Sequence, residues 1–252
     1  MKNISNSRPE DRLIFALDTS KPEEAISWID LLSGHVGMFK VGLELFTAAG
    51  PEIVQNIKQR GSRIFLDLKF HDIPNTVARA AEAAVGLHVD MFNVHAAGGS
   101  RMIRETADAV AARAAKLGIE GPALLAVTVL TSLDSSDLAE IGFHQTSNDL
   151  VLRLAKLTQK AGASGVVASG QDIALLRREM GNDFLIVTPG IRSFAQTGGD
   201  DQKRTLSALE AISAGADYIV VGRPIRQAEK PLEACRRMVA EIADGLAAKS
   251  RA

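Results

Sequence analysis

A single (β/α)8 barrel is the fold this sequence predicts, and three observations predict it. Strand-like and helix-like stretches alternate about eight times along the chain. No shift in composition on the way marks a domain boundary. The length, 252 residues, is what such a barrel commonly needs. The competing arrangement is an open doubly wound sheet, but no G-x-G-x-x-G follows the first strand, where a dinucleotide site requires one. Residues 1–11 read as a flexible lead-in and 12–248 as the barrel.

The elements follow in order. LIFALD (13–18) is a buried strand ending in an acid, and Ser20 is the expected cap of a helix from about Pro22 that carries Trp28, Ile29, Leu31 and Leu32. MFKVG (38–42) is a second strand with Lys40 inside it, and one helix is expected from there to about Arg60. The third strand, after Gly61, is interrupted by Asp67 and Lys69. Side chains two apart on a strand share a face, so these two form one wall while Leu66, Leu68 and Phe70 turn into packing. Pro74 suits a first helical turn, where its missing N–H costs nothing, which leaves Asp72 in the strand-to-helix turn. The Ala-rich stretch 75–88 is helical by propensity, 90–95 is a fourth strand, and Gly98-Gly99-Ser100 leads into another Ala-rich helix. The unbroken apolar run 123–130 suits a strand covered on both faces, closed by Thr131-Ser132. A helix over 147–162, strands at 165–169, 184–192 and 218–223, and a helix over 231–247 complete the series.

Bulk properties exclude several classes. A hydrophobic content of 46% fills a complete core. A formal charge of -1 with interspersed signs argues against nucleic acid or a membrane as partner. Cys235 is the only cysteine, which rules out an intramolecular disulfide framework or a thiolate metal cage and suits a reducing cytoplasm. The N-terminus lacks the apolar core of a signal peptide, and no run is long and apolar enough to span a bilayer, so a cytoplasmic protein is expected.

The polar residues at the strand ends carry the functional signal. Asp18, Lys40, Asp67 with Lys69, Thr131, Arg192 and Arg223 all fall at or near the carboxyl ends of predicted strands, where parallel α/β folds place their chemistry. An isolated D-x-K is an ordinary ion pair, and any one of the others an ordinary strand-end solubiliser. Their recurrence around one rim points to a shared site. Charge pairs inside a core add little net stability over apolar residues, so a strand that keeps several points to their use. Gly222-Arg223 after the last strand has the make-up of a phosphate grip: a close backbone N–H and a guanidinium fork. The polar loop 193–203 has the length of a lid, with Gln202 as an amide donor. The histidines, His35, His71, His88, His95 and His144, lack metal-ligand spacing, and only His95 stands at a strand end.

These motifs resemble the orotidine 5′-phosphate decarboxylase family over essentially the whole chain: FLDLKFHDIPNTV (65–77), supported in order by FALD, FKVG, VTVLTS, VTPGIR, GDDQKR and VGRPI. The resemblance implies a (β/α)8 homodimer without metal or organic cofactor that decarboxylates orotidine 5′-phosphate. It implies that Lys40, Asp67 and Lys69 form a charged array with Asp72 from the partner subunit, with Lys69 as proton donor. By the same resemblance Asp18 and Lys40 hold the ribose hydroxyls, Thr76 also comes from the partner, and Thr131 lies near the pyrimidine. Arg192, Gln202, Gly222 and Arg223 hold the phosphate. Sugar-phosphate decarboxylases and hexulose-phosphate synthases of the same superfamily carry D-x-K-x-x-D around magnesium, with an acid where Lys40 stands. A catalytically silent phosphate-binding barrel is a further alternative, although every charged position of the array is present.

Overall fold

In a parallel sheet covered on both faces, strands become short apolar runs, and here eight of them close on one another in sequence order. A computed structural model of the chain describes residues 7–191 and 206–249. Its strands are β1 (Leu13–Ala16), β2 (Met38–Gly42), β3 (Ile64–Phe70), β4 (Met91–His95), β5 (Ala123–Val127), β6 (Gly165–Val167), β7 (Leu185–Pro189) and β8 (Tyr218–Val221). All neighbours are parallel, and β8 bonds back to β1 through the pairing of Ile14 with Val220. The helices are α1 (Pro22–Leu32), α2 (Leu43–Ala49), α3 (Glu52–Gln59), α4 (Pro74–Gly86), α5 (Gly99–Leu117), α6 (Ser135–Glu140), α7 (Ser147–Lys160), α8 (Ile173–Met180), α9 (Ala208–Ala214), α10 (Arg223–Arg226) and α11 (Pro231–Lys249).

The period-2 alternation of the strands divides the core into two layers. Ile14, Met38, Phe65, Met91, Leu125 and Val187 fill the barrel interior. Phe15, Phe39, Leu66, Phe92 and Val94 point outward against the helices, where Phe15 packs on Trp28 at 5.5 Å between ring centroids. Each such buried side chain contributes about 1.5–3 kcal/mol by area.

Several boundaries differ from the expectation, each for a physical reason. The helix expected to run to Arg60 is two helices, because Gly50 takes φ +63° and Pro51 follows it with no N–H to donate. Ser20 does not cap α1; Thr19 does the local bonding, its hydroxyl accepting from Lys21 N (3.2 Å) and donating to Glu24 (2.8 Å). β5 stops at Val127 and β7 at Pro189, so the predicted strand tails are the loops of the rim. The short helices α6 and α9 begin with capping boxes, Asp134 with Asp137 and Ser207 with Glu210. The lead-in is already structured at Pro9–Arg12, a 3₁₀ turn whose Arg12 donates to the carbonyl of Asp217.

At the amino-terminal end of the barrel, Arg177 of α8 clamps several chain segments. It pairs with Asp217 at 2.6 Å and donates to the carbonyls of Gly181, Phe184 and Gly215. Asp217 in turn accepts from Ile186 N at 2.8 Å, so β7 and β8 start from one anchored carboxylate. On α11, Cys235 is fully buried, its Sγ 3.5 Å from the carbonyl of His35, and burial pushes its thiol up to about 11. No helix of the described residues is long and apolar enough to cross a membrane.

Candidate active site

The carboxyl ends of the first three strands bring four charges into one line. Lys40 stands inside β2, and its Nζ lies 3.1 Å from Asp18 Oδ1, just past β1, and 3.5 Å from Asp67 Oδ2 on β3. Lys69 Nζ lies 2.6 Å from the other oxygen, Asp67 Oδ1. The side chains of Lys40 and Asp67 are only 12% and 13% exposed, which keeps water from screening them. Burial alone would push the Asp67 carboxyl up. Lys40 and Lys69, with hydrogen bonds from Lys69 and Asn93, outweigh it and hold the group below its ordinary value. Asp67 is therefore a fixed anion holding a cation on each oxygen.

The backbone is bent to make this possible. Between the pairs Leu66–Phe92 and Phe70–Val94, β3 advances four residues while β4 advances two, which is a bulge. Within it Lys69 adopts φ +51°, a left-handed conformation that costs a lysine of order 1–3 kcal/mol. Simple strand alternation places Asp67 and Lys69 on one wall correctly but does not anticipate this bend. Close approaches also select glycine at two positions. A Cβ on Gly42 would lie 2.9 Å from Lys40 Nζ, and one on Gly222 would lie 3.0 Å from Asp18 Oδ2.

Of the residues predicted from sequence, Asp18, Lys40, Asp67 and Lys69 come together, and Gly222 abuts Asp18. Arg223 is the first residue of α10, next to Gly222 on the same rim. Thr131 sits in the turn after β5, lining a cleft of about 40 Å³ with Ser169, Gly170 and Pro189. Asp72 makes no ion pair with this array within the chain; its Oδ1 accepts from Ile73 N at 2.6 Å. Asp72 and Thr76 are exposed, and Ile73 between them is 67% exposed. Arg192, Gln202 and the loop 193–203 lie outside the described residues. His95 faces His71 at 5.5 Å between ring centroids; burial first, then His71 and Lys69, push its imidazole below the ordinary value against the pull of Asp67. A wide cleft of about 1340 Å³ opens at the opposite end of the barrel, but there Lys58 and Arg63 share Asp90 in a conventional ion pair.

A model of the orotidine 5′-phosphate decarboxylase / HUMPS family matches residues 11–238. Orotidine 5′-phosphate decarboxylase of Syntrophus aciditrophicus (strain SB) is 55% identical over 249 residues, covering 98% of this chain and 99% of that protein. The chain belongs to the orotidine 5′-phosphate decarboxylase family. The enzyme of that name from Geotalea daltonii is 49% identical over 93% of this chain and 97% of its own length. A crystal structure of orotidine 5′-phosphate decarboxylase from Lactobacillus acidophilus superposes with a TM-score of 0.82 at 38% identity, covering 94% of this chain and 99% of that one. The chain is thus an enzyme of the carboxy-lyase class, on the barrel that orotidine 5′-phosphate decarboxylases use.

Three residues of this orotidine 5′-phosphate decarboxylase-family site were not anticipated. Asn93 donates to Asp67 Oδ1 at 2.7 Å and accepts from Lys69 N at 2.8 Å; an amide in the middle of a buried apolar strand was the available signal. Gly42 signals itself as a glycine two residues after an in-strand lysine. Arg226 donates to the carbonyl of Asp18 from one turn into α10, and no sequence pattern announces that contact.

Proposed function

We propose that the chain converts orotidine 5′-phosphate to uridine 5′-phosphate and CO2 in pyrimidine synthesis, stabilising a ring carbanion electrostatically and protonating it from Lys69. The observation that carries this reading is the unbroken run Asp18–Lys40–Asp67–Lys69, with contacts of 3.1, 3.5 and 2.6 Å. When the bond to the carboxylate carbon breaks, its electron pair stays on the ring carbon in the plane of the ring, where the π system cannot accept it. A fixed ammonium directed at that carbon lowers the barrier because the charge it meets appears only in the transition state. The same ammonium then gives its proton to the carbon, and solvent restores the lysine. Asp67 orients Lys69 at 2.6 Å, and Lys40 is held in place between two carboxylates at 3.1 and 3.5 Å.

Other rim residues take supporting roles. Asp18 and Lys40 suit the ribose hydroxyls, and Thr131 suits the pyrimidine edge. Gly222 and Arg223 suit the phosphate, together with Arg192 and Gln202. Phosphate binding far from the scissile bond supplies energy for enforcing this geometry. Asp72 and Thr76 serve the site of a partner subunit in a homodimer, which their exposure beside exposed Ile73 supports. The magnesium-dependent sugar-phosphate reading is disfavoured because two ammonium groups already occupy Asp67, where a metal would need free carboxylate oxygens. Loss of orotidylate absorbance on mixing with purified protein in excess EDTA tests the proposal. Turnover unchanged by chelator supports it; turnover that appears only with added magnesium overturns it.

A further inference from the structure

Among the described residues, Asn93 is the one fully buried amide seen to touch the array, and it touches it twice. It sits on β4 between Met91, which packs in the barrel interior, and His95 at the rim, with no exposed surface. Its side-chain oxygen accepts from Lys69 N (2.8 Å) and its amide nitrogen donates to Asp67 Oδ1 (2.7 Å). Both bonds fall where the β3–β4 pairing is interrupted, so a side chain replaces the missing backbone partner of Lys69. The same Asp67 oxygen takes the Lys69 ammonium at 2.6 Å. One planar amide therefore brackets the backbone and the anionic partner of a single lysine, across the residue that holds φ +51°.

We infer that Asn93 is a positioning residue that holds Lys69 in its left-handed conformation and aims its ammonium along Asp67. This rests on the proposed role of Lys69. Asparagine is specified by needing an acceptor and a donor side by side in a dry site. Leucine would supply neither. Aspartate would keep the acceptor but set a second carboxylate against Asp67 unless one of the two were protonated.

Three variants test the inference. Asn93→Ala, folded by circular dichroism, is expected to lose about 100-fold in kcat with KM changed less than about threefold, the size of effect an ångström of misplacement produces. A purely structural residue would lower the melting temperature and leave kcat unchanged, and that result would overturn the inference. Asn93→Asp is nearly isosteric and separates the two roles even if the alanine variant does not fold. Its kcat relative to wild type should rise as pH falls, because a protonated Asp at this position again accepts from Lys69 N and donates to Asp67. The neighbouring Asp67, Lys40, Lys69, His71 and His95 are common to both proteins, so any pH dependence of the ratio comes from the introduced carboxyl and its coupling to Asp67. A ratio flat with pH overturns the inference. Lys69→Ala distinguishes failure of the underlying reading: if that variant stays active, the role of Lys69 is wrong, whereas an inactive Lys69→Ala beside a fully active Asn93→Ala sinks the Asn93 assignment alone.

Discussion

Asp67 holds a cation on each of its oxygens, and the Lys69 ammonium is fixed against it at 2.6 Å. On the proposed mechanism, replacing Lys69 by Ala removes the stabilising ammonium and the proton source together. Each such contribution is worth at least about 100-fold, so kcat should fall by at least about 10⁴-fold with the fold intact. Single-turnover kinetics on the folded variant check this, and near-normal kcat would remove Lys69 from the chemistry. Arg223 is the first residue of α10, beside Gly222 on the same rim. Arg223→Ala should lower kcat/KM for orotidylate by at least about 100-fold and hardly change the slow reaction of a substrate lacking phosphate. Equal losses on both substrates would make Arg223 structural. At this scale the sequence was most informative about ionisable groups, because a charge inside an apolar strand stands out. It was least informative about Asn93 and Arg226, whose contacts join segments far apart in sequence at neighbouring strands.

Among elements, the β3-to-α4 connection does the most. β3 bulges, carries Asp67 and Lys69 inward, then passes through exposed Asp72 and Ile73 into α4, which Pro74 opens. If Asp72 serves the partner's site, Lys69→Ala and Asp72→Ala homodimers are each inactive, but a mixed dimer holds one site free of both defects. Full reassortment should then restore roughly a quarter of wild-type activity, since about half the dimers are mixed and one of their two sites is whole. Proven subunit exchange without recovered activity would confine Asp72 to its own chain. Element existence was legible for all eight strands because burial on both faces makes them apolar runs. Their ends were not. β5 and β7 stop short of the predicted 130 and 192, since apolar residues such as Val129 and Ile191 continue past the strand ends and pack against the core. The bulge was invisible for a related reason: left-handed φ usually advertises itself through glycine, and here a lysine adopts it.

Across the whole molecule, the Asp18–Lys40–Asp67–Lys69 run and the Arg177–Asp217 clamp sit at opposite ends of one barrel. The Arg177–Asp217 clamp is buried beneath the strands, with side chains 11% and 5% exposed. Arg177→Ala would strand a buried carboxylate, a loss of about 3–5 kcal/mol, and should lower the melting temperature by about 10 °C. Turnover of the folded variant at moderate temperature should stay within about twofold of wild type. A large loss of kcat without a thermal shift would contradict this division between the two ends. The seclusion of Cys235 has a consequence for following the molecule as a whole. A thiol with no exposed surface and an acidity pushed to about 11 is silent toward alkylating reagents while α11 stays docked. As the sole cysteine in 252 residues, it gives no background from elsewhere. Its labelling rate is therefore a clock that ticks only when the closing helix leaves the barrel, and it times that opening without any engineered probe.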